Sequence, residues 1–255
     1  MNDKIAHQAG LPGRVLAVPV RAWLLVPLLL LGVAIGWSGR GWGWGIAEDP
    51  RRAFDSVRQL RLKTVQAQLD QVQGRYIVLL GDSHAELLYL PSLCGVPVVN
   101  AGLSGATLSD VIELVEAITP PRRAEAVLIS VGTNDIWVRR NPMSNVAESG
   151  FRAGLAALTQ ALTTWSERRV LTAIPPVARN EEALFPRLAA ARYSGMLAES
   201  CEPERCVYLD LFGVAGHARE AHSTFSDGVH LRDYASFVRD REPELCAGLR
   251  LAAPR

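Results

Sequence analysis

The stretch YIVLLGDSHAELL, residues 76–88, decides the fold class. Ile77, Val78, Leu79 and Leu80 are apolar without polar alternation, the pattern of a strand buried on both faces in a parallel sheet. The run stops abruptly in Gly81-Asp82-Ser83-His84, which places these four residues at the strand's carboxyl end. Ligands of open α/β sheets bind at that end. A short helix is predicted over residues 85–89, and a serine at its first turn meets backbone N–H groups and a dipole that favour negative charge. Ser83 is therefore a candidate nucleophile. The plainer reading is that Asp82 and Ser83 only cap the helix, a common use of both residue types.

Downstream, apolar runs alternate with helical stretches. Strands are predicted over residues 96–99, 126–131, 170–174 and 207–211 in addition to 77–80, and helices over 108–117, 146–165, 186–197 and 231–241. Such alternation specifies an α/β fold, a mainly parallel sheet with helices on both faces. Upstream, Asp49-Pro50 reads as an N-cap and a first-turn proline. Phe54, Val57, Leu62, Val65, Leu69 and Val72 then recur at helical spacing until Gly74, and this helix is assigned as a stalk or lid.

Among 255 residues, 27 Lys and Arg face 26 Asp and Glu, a net charge of +1 without a basic stripe, which argues against a nucleic-acid partner. The amino-terminal region differs from the rest. Residues 22–39, AWLLVPLLLLGVAIGWSG, carry no charge and would form about 27 Å of helix, close to the hydrocarbon thickness of a bilayer. Lys4, Arg14 and Arg21 precede this stretch, so the positive-inside rule puts residues 1–21 in the cytoplasm and everything after the span across the membrane. The expected organisation is a cytoplasmic tail (1–21), a transmembrane signal-anchor (22–39), a linker and stalk helix (40–74) and a catalytic domain (75–255) facing the periplasm or outside. A cleaved signal peptide is the rival. The anchor is preferred because the apolar stretch exceeds a usual signal core and Arg40 separates it from the small residues at 45–47.

Four cysteines suit an oxidising compartment. Cys201 and Cys206 can close a short loop and leave Cys94 with Cys246, although four cysteines allow three pairings and sequence alone does not choose. A zinc site is the weaker alternative, since the C-x4-C spacing has no second close pair of ligands.

In a parallel sheet the segments after each strand gather at one edge. They read GDSH (81–84), NAGLSGAT (100–107), GTND (132–135) and SDGVHL (226–231). A serine, an imidazole with a carboxylate three residues before it, a side-chain amide and glycines that admit close backbone approach are the parts that acyl transfer needs. Ser104 narrowly misses a G-x-S-x-G elbow because Ala106 occupies the last position, and it reads as a turn residue. His222 is the alternative base but has no carboxylate at matching spacing, while His217 reads as a solvated helix residue. Asp82 is expected to brace the loop through backbone N–H groups. His84 is left facing either substrate or solvent.

These four blocks, in this order, resemble those of the SGNH hydrolase family, the GDSL-type esterases and acyltransferases, over about residues 75 to 250. The resemblance implies a three-layer α/β/α sandwich and no cofactor. It also implies Ser83 as nucleophile, His230 as base, Asp227 as its orienting carboxylate, and an oxyanion hole from the Ser83 and Gly105 N–H groups and the Asn134 amide. Gly105 is preferred to Gly102 because it holds the glycine place of the second block. His84 departs from the leucine of many members, and the GDSH form resembles SGNH domains attached to envelope-polysaccharide acyltransferases. The leading expectation is a membrane-anchored esterase or O-acyltransferase acting on acyl, foremost acetyl, esters of an envelope glycan. The alternatives are a lysophospholipase or thioesterase acting on lipid esters, and a non-catalytic glycan-binding domain.

Overall fold

The computed structural model describes residues 49–212 and 225–251. The expected tail, span and Gly/Trp linker lie outside these residues, as do His217 and His222. Among the described residues no helix is long and apolar enough to cross a membrane.

Six strands form one sheet in the order β2-β3-β1-β4-β5-β6. They are β1 (Ile77–Gly81), β2 (Ser92–Leu93), β3 (Val96–Gly102), β4 (Ala126–Ser130), β5 (Arg169–Thr172) and β6 (Cys206–Leu209). All neighbours pair in parallel except β2, a two-residue strand that turns back antiparallel onto β3 at one edge. The helices are α1 (Pro50–Gln71), α2 (Ser83–Glu86), α3 (Leu108–Ala117), α4 (Asn145–Ala161), α5 (Arg187–Glu199) and α6 (Tyr234–Gly248). Every residue of β1 is buried, and its side chains alternate between two cores. Val78 and Leu80 join a core shared with α1, α3, α4 and α5, whereas Ile77 and Leu79 join one shared with Ala85 and α6. The result is a three-layer α/β/α arrangement.

Two elements differ from the sequence-based expectation. The stalk helix is a packed part of the body: Val65 and Leu69 of α1 are fully buried, and Phe54, Leu62 and Val72 pack on the same core. The compact unit accordingly runs from Pro50 rather than from residue 75. Its apolar stripe was legible, but its partner, the α3 side of the sheet, is remote in sequence. The last helix starts at Tyr234 rather than 231 because the Asp233 side chain accepts the Ser236 N–H as N-cap, and it continues to Gly248 with Pro243 inside it. Proline usually ends a helix by removing one backbone donor, which is why the expectation stopped at Arg241; burial of Leu245 and Cys246 anchors the final turns here.

The cysteines pair as Cys94–Cys246 and Cys201–Cys206, and none of the four is free to hold zinc. The first bridge ties the β2–β3 turn to α6 across 152 residues and the second closes a separation of 5. By chain entropy the long loop is worth on the order of 5 kcal/mol and the short one about 2 kcal/mol. Denaturant unfolding of Cys94→Ala/Cys246→Ala should therefore show the larger stability loss, and Cys201→Ala/Cys206→Ala the smaller. Equal losses would contradict this ranking.

Candidate active site

The carboxyl end of β1 is held by close backbone approach. A side chain on Gly81 would place its Cβ 1.9 Å from the Ser130 carbonyl oxygen of β4. That oxygen instead accepts the Asp82 N–H at 3.0 Å, while the Gly81 carbonyl accepts the Leu103 N–H at 2.9 Å. On the other side a Cβ at Gly102 would stand 2.2 Å from the Glu86 nitrogen, so α2 rests directly on the end of β3. The two glycines thus bring GDSH, NAGLSGAT and GTND to one place.

Asp82 has both roles weighed from the sequence. It is buried and caps α2, its Oδ1 accepting the His84 N–H at 3.0 Å, and its Oδ2 accepts the Thr133 N–H at 3.3 Å from the GTND turn. Burial pushes its pKa up to about 6, opposed by those hydrogen bonds. Ser83 is the first residue of α2, where a helix leaves its N–H without an intrahelical acceptor.

The SDGVHL segment is a tight turn closed by an antiparallel bridge between Phe225 and Leu231, with the Ser226 N–H donating to the His230 carbonyl. Asp227 Oδ1 accepts the backbone N–H groups of Val229 (3.0 Å) and His230 (2.8 Å). Its other oxygen, Oδ2, stands 2.7 Å from His230 Nδ1. Across the cleft His230 Nε2 stands 2.8 Å from Ser83 Oγ. Ser83, His230 and Asp227 therefore form one hydrogen-bonded line drawn from chain segments 147 residues apart. Burial works against ionisation of Asp227, but the His230 backbone and ring and the Val229 N–H outweigh it and hold its pKa at about 2. The carboxylate keeps its charge, and its side chain is 56% exposed.

Asn134 Nδ2 donates one of its two hydrogens to the Ala106 carbonyl at 2.9 Å, which seats it beside Gly105. Gly105 has a positive φ of 78° and faces the Phe54 ring of α1. Behind this loop Asp135 caps α3 by accepting the Leu108 N–H at 3.0 Å, and burial pushes its pKa up to about 7. Ser104 is exposed, its N–H donating to Glu86, and among the described residues no imidazole is hydrogen-bonded to it.

His84 corrects the expectation that it faces substrate or solvent. It is buried, with Nδ1 2.9 Å from the Tyr234 hydroxyl. Sequence reasoning also missed Arg61. Its Nε donates to the Gly102 carbonyl at 2.6 Å, and its guanidinium also binds the Asn100 carbonyl and side chain. Asn100 in turn donates to the carbonyls of Ala85 and Leu88, so α1 grips the second block and α2 through one side chain. An asparagine opening the NAGLSGAT block was the available signal; the arginine, one of many on α1, carried none.

The GDSL-like Lipase/Acylhydrolase family model matches residues 55–235. The chain belongs to that family, whose class is that of SGNH-type ester hydrolases. Solved structures share the fold at low identity. A Streptococcus pneumonia protein provisionally assigned as a platelet activating factor matches at 18% identity and a TM-score of 0.64, over 76% of this chain and 95% of that one. A lipase/acylhydrolase from Enterococcus faecalis matches at 21% identity and 0.53, over 67% and 97%. An acetyl xylan esterase from Geobacillus stearothermophilus matches at 17% and 0.54, over 72% and 98%. No curated protein matches.

The raised pKa of Asp82 has a thermodynamic consequence. Folded, it keeps its proton up to about pH 6, whereas an unfolded aspartate releases it near pH ~3.9. Its contribution to stability is thus greatest below the unfolded value and declines as pH rises through about 6. Relative to Asp82→Asn, the unfolding free energy of the wild type should fall between pH 4 and 6. A pH-independent difference would contradict the buried, reluctantly ionised carboxyl.

Proposed function

We propose that the protein is a membrane-anchored serine esterase or O-acyltransferase that cleaves or transfers acyl groups, foremost acetyl, on an envelope polysaccharide. The observation that carries the catalytic part is the unbroken Asp227–His230–Ser83 hydrogen-bonded line. Ser83 Oγ attacks the ester carbonyl while His230 Nε2 takes its proton. Negative charge on the former carbonyl oxygen is met by the N–H groups of Ser83 and Gly105 and the second hydrogen of the Asn134 amide. Collapse expels the alcohol, which leaves with the proton from His230. Water or a sugar hydroxyl then attacks the acyl-Ser83 ester and gives its proton to His230; the bond to Ser83 Oγ breaks, the serine oxygen takes that proton back from His230, and acid or acylated sugar is released. Asp227 stays ionised throughout, orients the ring through Nδ1 and stabilises the imidazolium.

The anchoring part rests on the uncharged stretch at residues 22–39 and the basic residues before it. Such a tether concentrates the enzyme at a membrane-borne acyl donor or nascent glycan without changing the chemical step. The glycan is favoured over lipid by the GDSH block. The acetyl xylan esterase that shares the fold makes an acetylated sugar a reasonable substrate class.

The test compares short acetyl esters, acetylated polysaccharides and lysophospholipids as substrates. Ser83→Ala should lower kcat by about 10⁴ or more, and Asn134→Ala by about 10²–10³. In cells, glycan acetylation should differ among the full chain, an exported domain cut near Ala47, and Ser83→Ala. Equal acetylation in all three would exclude the envelope glycan, and turnover confined to lysophospholipids would put the lipid reading ahead.

A further inference from the structure

His84 and Tyr234, 150 residues apart in sequence, lie on the two segments that carry the proposed nucleophile and base. His84 follows Ser83 in α2, and Tyr234 opens α6 four residues after His230. Burial raises the phenol's pKa, and the phenol also takes a backbone hydrogen bond at Leu231, the residue after His230. The hydroxyl and His84 Nδ1 share one hydrogen bond across 2.9 Å, its direction set by the tautomer of the ring. That bond occupies Nδ1 and leaves Nε2, an atom that is buried and has no partner among the described residues. Buried polar atoms are normally paired, so a histidine is a costly way merely to fill this space.

What the ring does touch is the other imidazole. The centroids of His84 and His230 are 5.3 Å apart, with the planes tilted by 40°. The titratable groups facing His84 are His230, Asp227, Asp82 and Tyr234. Burial first, and His230 second, push the His84 pKa down to about 3, which favours the neutral ring. It can pack against His230 in either protonation state without adding a like charge.

We propose that His84 is a positioning residue: braced by the Tyr234 hydroxyl, its ring forms the wall that keeps His230 Nε2 aimed at Ser83. This rests on the catalytic reading above, with Tyr234 acting through His84 rather than on the substrate.

The experiment uses the full chain in detergent micelles, labelled with ¹⁵N-histidine, as wild type, Tyr234→Phe, His84→Leu and the double variant. In the wild type the His84 ring signals should remain those of a neutral imidazole from pH 8 to pH 5. Tyr234→Phe, which removes only the hydroxyl, should shift the Nδ1 signal of His84 and also move the ring signals of His230. It should lower kcat on an acetyl ester about 10-fold with KM unchanged, the expected sign of a slightly misaimed base. The double variant should be no slower than His84→Leu alone. Unchanged His230 signals in Tyr234→Phe would overturn the brace, as would additive losses in the double variant. The NMR comparison does not depend on turnover. Full activity of Ser83→Ala together with the His230 shift would therefore sink the catalytic reading and leave the brace standing.

Discussion

The close contact between β1 and β4 at Gly81 is the constraint on which the site depends. With no side chain at this position, the Ser130 carbonyl comes near enough to accept the Asp82 N–H, and the chain turns at once into α2. Any Cβ would force the strand ends apart, displacing Ser83 from the edge and Asp82 from Thr133. The Gly102 contact repeats the device on the β3 side, where α2 needs the space that a side chain would fill. Two missing side chains therefore set the distance between the serine and the loops that flank it.

Around that junction charge is handled unevenly. Asp82, Asp135 and His84 are enclosed, and burial drives each toward its neutral form, while Asp227, half in solvent, is held ionised by three hydrogen-bonded contacts. Only one of these carboxylates, Asp227, stands in line with His230 Nδ1. The buried groups do structural work, tying α2 to the GTND turn and α3 to the loop beside Asn134.

The sheet was legible because β1 and β4 are short apolar runs that end in glycine or small polar residues. The four blocks were legible because a parallel sheet collects strand ends at one edge, which turns sequence order into proximity. The turn at residues 226–231 was legible as a carboxylate three residues before an imidazole. What sequence did not disclose depends on contacts between remote segments. Arg61 looks like any solvated helix arginine until its bonds to Asn100 and Gly102 are seen. His84 looks exposed because α6, which buries it, arrives 150 residues later. Likewise α1 reads as a stalk until the face that receives Val65 and Leu69 is in place.

The central claim is that Ser83 carries the acyl group between donor and acceptor. Rapid quenching of the protein during turnover of an acetyl ester, followed by proteolysis and mass spectrometry, tests it directly. An acetyl adduct is expected on the peptide containing Ser83, accumulating when attack by water or sugar is slow and vanishing in Ser83→Ala. An adduct on Ser104, or continued turnover by Ser83→Ala with no adduct on any residue, would contradict it.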